Sequence, residues 1–205
     1  MILYRPVGMH ELRLIFESGM TAFPPRLPEQ PIFYPVLNID YARQIAFGWN
    51  TKDAPYAGYV TEFEVDDDYI RQFERQVVGN RLHEELWIPA EELDTFNQHI
   101  LRKIKVVDAR FGKKFTGWSG EVTCLKDQDA VTQFVMISNG YDYNPVDPWF
   151  GIKREITAIF LNYPFWQQHD FSEHGIDEKK HQKILEFIQN AWESVVPELQ
   201  LGIPA

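Results

Sequence analysis

Cysteine is almost absent from this chain: Cys124 stands alone among 205 residues. An intramolecular disulfide and a cysteine-based zinc site are therefore excluded. Cys124 has no histidine near it in sequence and falls inside an expected strand, so it reads as a structural thiol rather than a nucleophile. Long apolar runs are missing as well. Ile156 to Tyr163 is among the longest, far below the about 20 residues that span a bilayer. Met1 to Val7 has neither the basic start nor the long apolar core of a secretory signal, so a soluble, cytoplasmic protein with no membrane partner is expected. Positive charge is scarce: 20 Lys and Arg face 30 Asp and Glu, for a net charge of −10. Contact with a phosphate backbone needs a basic face, so nucleic acid is not expected as a partner through the overall field. A small positive pocket for a phosphorylated ligand stays open. Arg5, Arg26, Arg43, Arg71, Arg75 and Arg81 are available for it, each with a solvated surface role as the ordinary alternative. Gly-x-Ser-x-Gly, Walker and Gly-x-Gly-x-x-Gly patterns are absent.

Apolar and aromatic side chains are plentiful: 44% of residues are hydrophobic and 15% aromatic, enough to fold without staples. Ile2 to Val7 is rich in strand formers. His10 to Ser18 sets Leu12, Ile15 and Phe16 at helical spacing, with Gly19 as a stop. The prolines of Phe23 to Pro31 forbid regular structure and make a stiff surface loop. Ile32 to Leu37 reads as a second strand, and Asn38 as the N-cap of a helix to about Phe47. Tyr59 to Val65 alternates cleanly as a strand. Asp66-Asp67-Asp68 reads as a solvated turn capping the helical turn Tyr69 to Phe73, rather than as a metal site. Leu82 to Ile88 is expected as a strand with His83, Glu85 and Trp87 on one side. Leu93, Phe96 and Ile100 stripe a helix, and Lys103 to Val107 forms a further strand.

Beyond this point Lys114 to Cys124, Ala130 to Ser138 and Glu155 to Tyr163 read as three longer strands. A final helix, Asp177 to Val195, carries the stripe Ile184, Phe187, Ile188, Ala191, Trp192 and Val195. The expected fold class is α+β, with one domain over residues 1–108 and a small strand-meander plus C-terminal helix domain over 109–205. His169, His174 and His181 cluster loosely, with a surface role favoured over a metal site. Tyr141, Tyr143, Trp149, Phe150, Tyr163, Phe165 and Trp166 either fill the core of the second domain or present an aromatic surface to a protein partner.

Arg5 on the first strand, Tyr34 on the second and His83-x-Glu85 on a later one suit a dinucleotide with a cationic ring. An arginine fork holds pyrophosphate, an aromatic ring stacks on nicotinamide, and a carboxylate bonds a ribose hydroxyl and stabilises an oxocarbenium-like cation. Spacing alone leaves each of these residues open to a surface or core role. The order of elements from strand with Arg5 to Glu85-Leu86-Trp87-Ile88-Pro89 resembles the ADP-ribosyltransferase fold. Leu3-Tyr4-Arg5-Pro6-Val7, the stretch Phe23 to Asn38 and Trp87-Ile88-Pro89-Ala90-Glu91-Glu92-Leu93 resemble small bacterial proteins labelled "ADP-ribosylation/crystallin J1". The strand-rich pattern without paired Asp motifs does not resemble the all-helical, metal-dependent hydrolases that share that label.

The resemblance covers roughly residues 2 to 107. It implies an ADP-ribosyltransferase-like split-sheet domain that uses NAD as substrate and needs no metal. Arg5 and Tyr34 would be the NAD-binding residues, Glu85 the catalytic carboxylate and His83 the residue facing the acceptor. Pro6 stands where the family often has a small residue, and no Ser-Thr-Ser motif follows the second strand. The sequence thus carries two readings. One is a mono-ADP-ribosyltransferase-like enzyme acting on an unidentified acceptor. The other is a non-catalytic binding or regulatory module, of toxin–immunity type, with a degenerate nucleotide pocket.

Overall fold

A computed structural model describes residues 1–79 and 83–204. The chain divides into two units, Met1–Phe115 joined by 203–204, and Thr116–Gly202. It is an α+β protein, and the strands among the described residues lie in the first unit.

The first unit opens with β1 (Ile2–Gly8), in which Leu3, Arg5 and Val7 form a buried row on one face. Helix α1 (Met9–Glu17) follows and ends where Gly19 takes a left-handed φ of 73°. The proline loop leads into β2 (Ile32–Phe33), and Asn38 then caps α2 (Ile39–Ile45) by accepting hydrogen bonds from the Asp40 and Tyr41 amides. This helix widens into a π turn at Ala46–Asn50 before β3 (Ala57–Glu64). Asp66 accepts from the amides of Asp68 and Tyr69 and so caps α3 (Asp67–Ile70). After α3 come β4 (Arg75–Val77), β5 (Glu84–Leu86), β6 (Ile88–Pro89), α4 (Leu93–Gln98) and β7 (Lys105–Phe111). The boundary expected at 108/109 falls within β7, which continues to Phe111; the two compact units meet at Phe115/Thr116.

An antiparallel sheet of order β1-β3-β7 forms the centre. Residues 57–61 of β3 are buried on both faces, as a central strand requires. Beneath one face, the rings of Phe23, Phe33, Phe63 and Phe96 meet at centroid distances of 4.8 to 6.0 Å. On the other face Ala42, Ala46, Val36 and Val60 pack with Tyr4, Tyr41 and Ile45 around them. The π turn presses so close to β3 that a Cβ at Gly58 would sit 2.0 Å from the Ala46 carbonyl oxygen.

The segment 32–37 runs antiparallel to 84–89. Phe33 pairs with Ile88, and Val36 bridges Tyr4 of β1 on one side and Glu85 of β5 on the other. The strand expected over Ile32 to Leu37 is therefore a two-residue ladder and one bridging residue, Val36, with Pro35 in the gap. The strand expected over Leu82 to Ile88 is likewise two short pieces broken at Trp87. Leu82, like Arg81, lies outside the described residues.

The second unit corrects the sequence reading. Ala130 to Ser138 and Glu155 to Tyr163, expected as strands, belong to α5 (Ala130–Tyr143) and α7 (Ile156–Gln168). Between them lies α6 (Val146–Arg154), and α8 (Glu178–Glu193) follows. Lys114 to Cys124 is irregular apart from a single bridge from Gly120 to Lys126. Among the described residues no strand meander forms. Asp127-Gln128-Asp129 is not a strand-to-strand turn: Asp129 caps α5 by accepting from the Thr132 amide. In α7 every residue from Ala158 to Pro164 is buried, so no apolar face stands out against a polar one. The irregular stretch is pinned by buried polar groups. Asn162 accepts from the Trp118 amide at 2.7 Å and donates to the Trp118 carbonyl at 2.8 Å, while Gln133 donates to the same carbonyl at 2.7 Å. Glu155, 3% exposed, accepts hydrogen bonds from the amides of Glu121, Val122 and Thr123. Of the second-unit aromatics, Tyr163 and Trp166 are buried, Tyr141 and Trp149 pack on Phe187, and Tyr143 and Phe150 are exposed.

Among the described residues no helix is long and apolar enough to cross a membrane. No three His, Cys, Asp or Glu side chains among them converge as metal ligands.

Candidate functional site

The cleft begins with proline chemistry. Tyr4 and Val36 exchange two backbone hydrogen bonds, at 2.9 and 2.8 Å. In an antiparallel ladder the next such exchange falls two residues on, between Pro6 and Tyr34, and Pro6 has no N–H to give. The Tyr34 carbonyl instead accepts from Arg5 Nη1 at 3.2 Å. The two chain segments part there, and a cavity of about 510 Å³ opens, lined by Arg5, Arg26, Tyr34, Tyr41, Trp49 and Glu85 among others.

Arg5 reaches this cavity from the buried row of β1. Its Nε donates to Glu11 Oε1 at 2.8 Å, and its guanidinium lies 4.5 Å from the centroid of the Phe33 ring. Glu11 comes from the first turn of α1. A second guanidinium, Arg26, stands 3.8 Å from the same Glu11 oxygen. Burial, followed by the neighbouring Arg5 charge, pulls the Arg26 pKa below its ordinary value.

Glu85 lines the opposite wall. The Tyr41 hydroxyl donates to Oε1 at 2.6 Å, and the Trp87 indole donates to Oε2 at 3.0 Å. Burial, reinforced by the hydrogen bond to Glu85, raises the Tyr41 pKa. Tyr34 meets the Trp87 ring edge-on at 5.9 Å, so the aromatic wall and the carboxylate wall are continuous.

His83 does not line this cavity. It faces an adjoining one of about 260 Å³, which shares Tyr41, Ile45, Trp49 and Val78 with the first. Its ring stacks on Tyr41 at 4.1 Å, and its Nδ1 lies 3.2 Å from the Val78 carbonyl. Arg5, Tyr34 and Glu85 thus share one cleft, with His83 one ring away. Arg26 is one of the six arginines the sequence offers for a phosphorylated ligand, whereas Glu11, Tyr41 and Trp49 are cleft residues that sequence reasoning missed. Trp87, which donates to Glu85 without lining the cleft, stands two residues from it on the same expected face. Glu11 and Arg26 meet Arg5 only through the tertiary fold. An arginine standing between Leu3 and Val7 in a buried strand row is the clearest sign in the sequence that this region is more than a core.

Chemically, the cleft joins a two-guanidinium end to a carboxylate fixed by two donors, with aromatic rings between. That suits an anionic ligand bearing a flat ring and a centre that becomes cationic. The chain matches no protein-family model, no curated protein and no solved structure.

Proposed function

We propose that the first unit binds NAD and acts as a mono-ADP-ribosyltransferase-like enzyme on an acceptor. The reading rests on one observation: Arg5, Tyr34 and Glu85 line a single cleft, with Glu85 held from both sides by Tyr41 and Trp87. In this scheme the arginine end holds the diphosphate and Tyr34 stacks against the nicotinamide ring. The bond from ribose C1′ to the nicotinamide nitrogen breaks, and neutral nicotinamide leaves with the electron pair. The Glu85 carboxylate faces the ribosyl cation, the acceptor's nucleophile adds at C1′, and its proton passes to water. His83, in the adjoining lobe, faces the incoming acceptor. Glu85→Gln keeps the shape and an oxygen for Tyr41 but removes the charge. It should abolish nicotinamide release from NAD while leaving the melting temperature within a few degrees of wild type. Unchanged release would remove Glu85 from the reaction.

A second reading, a binding or regulatory module with a degenerate pocket, is favoured by one feature. Arg5 is already paired with Glu11, and both Glu85 oxygens already accept hydrogen bonds. Under that reading purified protein shows no saturable binding of NAD. The exposed Tyr143 and Phe150 of the second unit would then be the place to look for a protein partner.

A further inference from the structure

We infer that Arg26 is the principal anion-binding residue of the cleft and that, with Arg5 beside it, it receives a diphosphate, one phosphate to each guanidinium. The inference deepens the NAD reading and takes the identity of the cleft's ligand from it.

Charge at this end of the cleft is unbalanced. Glu11 offers one carboxylate to two arginines, and Arg5 holds it at 2.8 Å while Arg26 stands off at 3.8 Å. The Arg26 side chain is only 11% exposed, and its Nε is buried with no hydrogen-bond partner. A guanidinium buried with an unpaired donor is costly, and Arg26 lines the cleft, from which a ligand can supply acceptors to the part of the group that faces it. A phosphate oxygen pair matches the fork of such a group, whereas a neutral ligand leaves the deficit in place. Two guanidinium edges around one carboxylate leave positive charge over, and their adjacency lets the two linked phosphates of a diphosphate meet one guanidinium each.

The loop bearing Arg26 is built to hold it still. At its start the Phe23 amide donates to Asn97 Oδ1 at 2.9 Å, and Asn97 Nδ2 returns a bond to the Phe23 carbonyl at 2.9 Å. At its end the Ala90 amide donates to the Pro31 carbonyl at 2.8 Å. Pro24, Pro25 and Pro28 stiffen what lies between. Little ordering entropy then opposes binding, which is how a fixed receptor gains affinity.

The test is calorimetric titration of the full chain with inorganic pyrophosphate and, separately, with NAD, on wild type, Arg26→Ala, Arg26→Gln and Arg26→Lys. Circular dichroism melts accompany each variant. Wild type should bind both probes. Arg26→Ala and Arg26→Gln should weaken each by about tenfold or more with a shallower salt dependence, and Arg26→Lys should recover part of the loss. Arg26→Gln keeps most of the side chain's bulk, so a loss shared by both neutral variants at unchanged melting temperature reports charge and not packing. NAD and pyrophosphate bound equally by wild type and both neutral variants would overturn the inference and leave the NAD reading standing. Arg26-dependent binding of pyrophosphate without binding of NAD would do the reverse. Binding of neither probe by wild type would overturn both.

Discussion

The Tyr41 hydroxyl and Glu85 Oε1 lie 2.6 Å apart, although 44 positions separate the two residues in the chain. Tyr41 belongs to a helix that packs on the central sheet, and Glu85 to a strand joined to that sheet through Val36. Burial raises the Tyr41 pKa, so its hydroxyl stays a donor across the physiological range. Tyr41→Phe removes the donor and keeps the ring that stacks on His83. A hydrogen bond to a charged group is worth roughly 1.5 to 3 kcal/mol, so under the proposed transferase reading nicotinamide release should slow by about tenfold or more. NAD binding measured by titration should change little, since Tyr41 acts through Glu85. A loss of binding as large as the loss of rate would assign Tyr41 to the binding wall instead.

Arg5 and Glu11 form a pair whose side chains are 8% and 23% exposed. Arg5→Ala leaves Glu11 half-buried beside Arg26 and strips the cation from Phe33. Removing one member of such a pair costs about 3 kcal/mol, which urea unfolding would register as a lower midpoint at unchanged slope. Arg5→Ala combined with Glu11→Ala should recover part of that cost, because no stranded carboxylate remains. If the double variant is as unstable as the sum of the two singles, the pair is not coupled and this account of the basic wall is wrong.

In the second unit, burial works against the Glu155 charge, yet the bonds from the amides of Glu121, Val122 and Thr123 outweigh it and hold its pKa below the ordinary 4.5. A depressed folded-state value stabilises the fold above the unfolded value, and the benefit is lost as pH falls through the folded one. Glu155→Gln should therefore cost about 1 to 3 kcal/mol at pH 7, and the gap to wild type should narrow as the pH drops below 4.5. Urea denaturation of both proteins at pH 7 and at pH 3.5 measures this. A gap that stays constant or widens in acid would show that Glu155 acts through shape and not charge.

Much of the first unit was legible because local chemistry and tertiary packing agree there. Asn38, Asp66 and, in the second unit, Asp177 each cap the helix they precede, and the run from Leu12 to Phe16 buries the face its spacing indicates. In the rest of the second unit the two disagree. Val131, Val135, Ile137, Ile156 and Ile159 are β-branched, and propensity alone favours strand for such runs, yet they sit in helices held by packing. Because α7 is covered on nearly all sides, its sequence lacks the polar stripe that betrays a helix. Pro164 inside it argues locally against helix as well. In the cleft, Arg5 and Glu85 could be singled out as strand residues of chemical interest. Arg26 was legible only as one of six candidate arginines, and Glu11 and Tyr41 not at all, since each reaches the cleft through contacts between segments far apart in sequence or across the turn from β1 into α1.

Pro6 gives the cleft a permanence that side chains alone would not. A gap between two strands ordinarily competes with its own closure, because the free amides and carbonyls on either lip can find one another. Here one lip has no amide to offer, and the facing Tyr34 carbonyl is already occupied by Arg5. Half of the exchange that would zip the sheet at that position is lost, so closure gains little and the unliganded protein keeps the doorway that a ligand would use. Association should then follow a single concentration-dependent step set by encounter, with no slower phase for prising the strands apart.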